Sequence, residues 1–155
     1  MKKIISFFII AAFVVSSYSQ ITVKLGSIAN AEPGTYINVP LILSGFEAGN
    51  PGMIGMEFYF TFPSSVLAFD SVANAFASAP ASQWFYNANN GKLSANWLEG
   101  GLAPINFPNN TTLIEFVFFY NGGSAELTID TLATTIIDEF SASFTIESFV
   151  DGTIT

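Results

Sequence analysis

No cysteine, histidine or arginine occurs in this sequence, and each absence closes off a class of function. Without cysteine there is no disulfide framework, so stability must come from packing. Without cysteine and histidine, transition-metal sites and most nucleophile–base pairs lose their usual groups. Bases of any kind are scarce: four lysines face twelve acids, for a formal charge of −8. Two of those lysines, Lys2 and Lys3, stand before the apolar run Ile4–Val15, which gives way to small residues at Ser17 and Ser19. This pattern reads as a secretory signal peptide over residues 1–19, cleaved at or close to Ser19. The run is too short to span a bilayer, no cysteine follows it to carry a lipid, and no second membrane-length segment occurs. Losing Lys2 and Lys3 takes the formal charge from −8 to −10 and leaves Lys24 and Lys92 as the only bases. Phosphate binding needs cations, so nucleic acids and anionic membrane surfaces do not fit as partners. The mature chain, residues 20–155, is expected to be secreted, extracellular or at the cell surface, without membrane insertion.

What is plentiful is phenylalanine, with 17 in the chain, spread along it at alternating positions. That distribution suggests an aromatic-rich β core. The stretch Gly52–Phe62 shows it best. Read with period two, Ile54, Met56, Phe58, Phe60 and Phe62 share one face, and Gly55, Glu57, Tyr59 and Thr61 the other. A one-residue slip would put the whole apolar set into water, so the register is strongly fixed.

The rest of the chain reads as short strands separated by turn chemistry. Ile21–Leu25 is a first strand. Pro33-Gly34 suits the centre of a type II turn. Tyr36–Leu43 is a second strand in which Pro40 marks an edge, a bulge or a bend. After Gly52–Phe62 come Val66–Val72 and an Ala/Ser-rich stretch, 73–82, readable as a loop or one helical turn. Gln83–Asn87 and Lys92–Glu99 flank Asn89-Asn90-Gly91, a strong hairpin signal. Thr112–Tyr120 and Ala125–Asp130 follow, Leu132–Ala142 is irregular, and Ser143–Val150 with Gly152–Thr155 closes the chain as one bent strand. With no internal repeat and no linker, residues 20–155 are one domain. The expected fold class is all-β: a nine-stranded β-sandwich with jelly-roll topology, preceded by the cleaved signal peptide.

Four of these segments, in this order, resemble the cohesin modules of cellulosome-type scaffolds. They are Val23–Gly26 with Pro33-Gly34 and Val39-Pro40-Leu41; Gly55–Phe62 with Val66-Leu67; Gly91–Trp97; and Thr112–Phe118 with the closing Val150–Ile154. The resemblance covers nearly all of residues 21–155. It departs from the family at Pro63, where an Asp is usual, and in the Ala-rich stretch 73–82. Cohesins are non-catalytic jelly-roll modules that bind dockerins, small helical domains carrying their own calcium. The resemblance therefore implies no catalytic residue, no metal ligand and no cofactor in this chain, with calcium in the partner. It also implies a binding surface on the outward face of the third, fifth, sixth and eighth strands. The positions are Glu57, Tyr59 and Thr61; Phe85 and Asn87; Ser94, Asn96, Leu98 and Glu99; and Glu126 and Thr128. An apolar centre with a polar rim is how such interfaces are built.

Alternatives remain from the residues themselves. A carbohydrate-binding module of similar sandwich shape, or a structural surface or adhesin module, would show the same strands, and polysaccharide remains a second candidate ligand. Trp97 is in phase with Leu93 and reads as core, while the position of Trp84 stays open because its strand has aromatics on both faces. Glu57 and Glu99 could approach across paired strands, as a glycosidase pair must, but read better as solvated rim acids. Asp138-Glu139 would point to opposite faces of a strand. No Asp-x-Asp-x-Asp-Gly calcium loop occurs, and Asn109-Asn110-Thr111 is a glycosylation sequon only in a host that glycosylates exports.

From this reading, purified protein should show a β-type far-UV circular dichroism spectrum whose melting curve is unchanged by excess EDTA and by reductant. A helical spectrum, or a fold lost with the chelator, would contradict it.

Overall fold

The computed structural model describes residues 20–155; the signal-peptide expectation for residues 1–19 lies outside that range. Two sheets pack face to face, as the alternating pattern requires. One has the strand order β10-β1-β2-β7-β4, and the other β11-β8-β3-β6-β5 with β9 also paired to β3. The strands are β1 (Ile21–Leu25), β2 (Thr35–Ser44), β3 (Met53–Thr61), β4 (Leu67–Ala73), β5 (Trp84–Asn89) and β6 (Lys92–Leu98). They continue as β7 (Thr111–Tyr120), β8 (Ala125–Ile129), β9 (Thr135–Asp138), β10 (Ile146–Val150) and β11 (Gly152–Ile154). Outside β1–β2, β5–β6 and β8–β9, each connection carries the chain from one sheet to the other. Among the described residues no helix is long and apolar enough to cross a membrane.

The all-β sandwich is as expected, but the described chain has eleven strands rather than nine. One extra strand is β9, inside the segment that read as irregular; it pairs Met53–Glu57 of β3 through Asp138–Thr135. The other arises because the final strand is two. β10 runs parallel to β1, whereas β11 runs antiparallel to β8 in the opposite sheet. The break falls at Asp151, whose carboxylate accepts the Ile129 N–H at 2.8 Å. The sequence hides the change of sheet because Val150, Gly152 and Ile154 continue one alternating phase, whereas the side chain packed against the core on β10 is Phe149 and Val150 is exposed.

The core is the interdigitation of β3 with β7. Phe58 stacks 6.0 Å from Phe116, Phe60 lies 5.2 Å from Phe116, and Phe62 meets Phe118 edge-on at 5.0 Å. Such offset and edge-on pairs add about 0.5–1.5 kcal/mol each beyond area burial. Leu25, Val39, Leu41 and Leu43 fill the space beside them, all fully buried. Trp97 is buried as expected, and so is Trp84: their rings lie 6.5 Å apart. Each indole N–H is satisfied inside the protein, Trp84 by the Ala79 carbonyl at 3.0 Å and Trp97 by Gln83 Oε1 at 3.1 Å. Neither is a surface platform. Pro40 sits within β2, directly before the register shift at Leu41/Ile42, so it marks a bulge. The stretch 73–82 is mainly loop, leading into a single 3₁₀ turn at Ala81–Gln83.

Phe60 is 1% exposed while its neighbour Thr61 is on the surface. Phe60→Ala should therefore destabilise by roughly 3–5 kcal/mol, and Thr61→Ala should move the denaturant midpoint little. Equal effects at the two positions would refute this register.

Candidate functional site

The outward face of the six-stranded sheet is fixed by the same register. β6 runs along one flank of β3, pairing Gly55 with Leu98, Glu57 with Asn96, Tyr59 with Ser94 and Thr61 with Lys92. β5 continues the rows, with Phe85 beside Asn96 and Asn87 beside Ser94. On the other flank, Thr128 of β8 pairs with Thr61 and Thr135 of β9 with Glu57. Glu57, Tyr59, Thr61, Phe85, Asn87, Ser94, Asn96, Leu98 and Thr128 thus fall on one continuous surface, none of them buried.

Two of the sequence-derived positions lie apart from it. Glu126 pairs with Thr153 of β11, beyond the end of β3, and sits at the periphery. Glu99 shapes a loop: its carboxylate accepts the N–H groups of Gly101 at 2.6 Å and Ala103 at 2.8 Å. That engagement sets it apart from a free rim acid and from any pairing with Glu57.

The two ends of the face differ in chemistry. At one end the alternation of β3 is incomplete, since Met53, Ile54, Gly55 and Met56 are all buried. Gly55 is covered from outside. A β-carbon placed on it would meet Leu98 Cδ1 at 3.2 Å and Ile137 Cδ1 at 3.8 Å. The missing side chain lets residues of the two flanking strands close over β3. Leu98 remains 54% exposed and Phe85 73% exposed. They lie on diagonal positions of neighbouring strands, within reach of one another. Asn96 lies between Glu57 and Phe85, and its Oδ1 is buried with no hydrogen-bond partner. A buried acceptor left unmatched costs about 1–3 kcal/mol. At the other end, about 20 Å along the strands, lies a shallow concavity of about 480 Å³. Tyr59, Thr61, Asn87, Asn89, Asn90, Lys92, Ser94 and Asp130 contribute to its lining.

The middle of the face is held by a repair to the sheet. β8 pairs β3 only at Phe60 and Thr61, and β9 only from Met53 to Glu57. The gap falls at Tyr59. Its carbonyl accepts the Asp130 N–H at 2.9 Å. Its N–H donates to the hydroxyl of Thr134 at 3.2 Å, and Thr134 is 4% exposed. The bulge between β8 and β9 is closed by Asp130 Oδ1, which accepts the N–H groups of Leu132 and Ala133 at 3.1 Å each. Leu132 is left 95% exposed on this fixed turn beside Tyr59.

Ile137, Thr135, Leu132 and Lys92 are therefore site residues that the sequence reading missed. Thr134–Ile137 is a β-branched run, which is a strand signal. Its shortness and irregular flanks hid it. Nothing in the local sequence marks Leu132.

The architecture matches known structures. The sixth cohesin of scaffoldin B from Acetivibrio cellulolyticus, solved with a Cel5 dockerin, superposes with a TM-score of 0.75 at 19% identity, over 88% of this chain and 99% of that one. CaCohA2 from Clostridium acetobutylicum gives 0.72 at 21% identity, covering 89% of this chain and 91% of that one. A non-cellulosomal cohesin from the archaeon Archaeoglobus fulgidus gives 0.67 at 16%, covering 88% and 90%. No protein-family model and no curated protein matches the sequence. The chain thus has the cohesin fold, an all-β sandwich of two sheets.

Thr134→Val keeps the shape of the side chain and removes the acceptor for the Tyr59 N–H. It should destabilise by about 1–3 kcal/mol and accelerate hydrogen exchange at the Tyr59 amide. An unchanged Tyr59 exchange rate would mean that the sheet gap is not closed by this hydroxyl.

Proposed function

We propose that residues 20–155 form a secreted, non-catalytic docking module that binds a dockerin-type protein through the outward face of β3, β5, β6, β8 and β9. The observation that carries this reading is the superposition on nearly the whole of a cohesin solved in complex with a dockerin. The surface agrees with the chemistry such a partner needs. Leu98, Ile137 and Phe85 offer apolar area on a rigid sheet, and Leu132 adds a projecting apolar group on a turn whose geometry is already fixed. Glu57, Ser94 and Thr61 supply the polar surround. Interface energy concentrates in a few central, well-packed residues, which points to Tyr59 and Leu98 as anchors. The partner would carry its own calcium, so a chelator would act on the partner's fold rather than on this one. The acidic balance of the chain, twelve acids against four lysines, also favours a partner with exposed lysine or arginine, whose association slows as salt is added. The basic–apolar start of the chain supports export, and with it a place outside the cell or at its surface, in the assembly of polysaccharide-degrading enzymes.

Calorimetric titration with dockerins encoded by the host tests this. Tyr59→Ala together with Leu98→Ala should cost at least about 2 kcal/mol of binding. Tyr36→Ser with Val117→Thr, on the opposite sheet, should cost little. Loss of binding with the second pair and not the first would place the interface on the wrong sheet.

A further inference from the structure

The concavity at the β5–β6 end is lined mainly by amide, hydroxyl and charged side chains. Three asparagines, Asn87, Asn89 and Asn90, line it together with the hydroxyls of Thr61 and Ser94, Lys92, Asp130 and the ring of Tyr59. Several asparagine side chains elsewhere in the fold are used for structure. Asn38 and Asn74 donate to Glu115, Asn106 donates to the Asn50 carbonyl, and Asn109 accepts the Gly45 N–H. The amides of Asn87, Asn89 and Asn90 have no such partner among the described residues. Asn90 has a backbone reason to be there, since it and Gly91 form the hairpin turn with φ of 49° and 73°. Asn89 stands at the first position of that turn, facing Lys92 across it, where asparagine is favoured; Asn87 has no such role. Asn87 and Asn89 stand two apart on β5, an edge strand, so both amides face the same side.

The charge balance narrows the ligand. Lys92 is the one base in the lining and Asp130 the one acid. A single lysine on a chain this acidic does not hold a phosphate or a polyanion. A single carboxylate does not hold a metal ion, and among the described residues no group of three or more carboxylates could hold one. What remains suits a neutral ligand rich in hydroxyl groups. Each amide offers two donors and an acceptor, the pairing that neighbouring hydroxyls require. Tyr59, half-buried beside them, offers a ring face for the C–H side of a sugar. The volume lies in the range of small-ligand sites, about 300–1,000 Å³.

We propose that this concavity is a binding site for a neutral oligosaccharide, held by the amides of Asn87, Asn89 and Asn90, by Lys92 and Asp130, and by the ring of Tyr59. The site lies apart from the apolar end around Leu98 but shares Tyr59, Thr61 and Ser94 with the face proposed for the dockerin. A protein partner could instead fill it with its own polar side chains, and the test separates the two.

The measurement is a nitrogen–proton correlation NMR titration of the labelled protein with cello-, xylo- and malto-oligosaccharides, with an oligogalacturonate as the charged control. At least one neutral series should move the side-chain amide resonances of Asn87, Asn89 and Asn90, saturating with a dissociation constant of about 1 mM. The charged control should not. Asn87→Ala with Asn89→Ala should weaken that binding by about tenfold or more, through two lost hydrogen bonds. Both side chains are exposed, and an unchanged melting temperature confirms that the variant is folded. Leu98→Ala should leave saccharide binding intact even where it abolishes dockerin binding. The proposal is overturned if no neutral series moves these resonances, or if the shifts fall on the opposite sheet. It is equally overturned if the asparagine variant loses dockerin binding while no saccharide registers, because the concavity then belongs to the protein interface.

Discussion

The aromatic seam between β3 and β7 is the constraint on which the rest depends. Phe58, Phe60 and Phe62 can reach Phe116 and Phe118 only if β3 keeps one register and one face inward. Everything on the outward face follows from that. With Phe60 inside, Tyr59 and Thr61 must be outside, and the ladder to β6 then sets Ser94 and Lys92 beside them. A chain without disulfides holds its two sheets together by burying apolar side chains, and the large rings with the aliphatic residues beside them carry that burden.

A second constraint is the gap in the sheet beside Tyr59. β8 and β9 lie end to end along one flank of β3, and the chain between them must leave the sheet and return. Such a break leaves backbone groups unpaired, which a mostly covered position cannot tolerate. Thr134 and Asp130 close it, one through its hydroxyl and the other through its backbone N–H and its carboxylate. The turn that results is ordered by its own hydrogen bonds before any partner arrives. A preformed surface loses less entropy on binding than one that must be ordered.

The face has two chemistries at its ends. Around Gly55 it is apolar, because the absence of a side chain lets Leu98 and Ile137 close over the strand. Around Asn89 and Lys92 it is rich in amides and hydroxyls. An edge strand free of charge, as β5 is, would ordinarily invite pairing with another chain. Its asparagines instead give that edge a polar character without charge.

Local pattern was enough to read much of this in advance. Period-two alternation found β6, β7 and β3 from Met56 onward with their inward faces, because a half-buried strand writes its burial into every second residue; before Met56 the register shift at Met53/Gly55 puts Met53 rather than Ile54 in the core. Turn residues found the hairpin at Asn90-Gly91 for an equally local reason, the positive φ that those residues tolerate. The outward positions on β3 and β6 followed from the same alternation, whereas those on β5, a strand with aromatics on both faces, came from the family resemblance. Pairing was not legible. That β9 exists, that Ser143–Thr155 divides between two sheets, that Glu99 serves its own loop, and that Leu132 projects beside Tyr59 all depend on contacts between residues far apart in the chain. Alternation states which face of a strand is buried and is silent on which strand lies beside it; that was decided only when the two sheets packed.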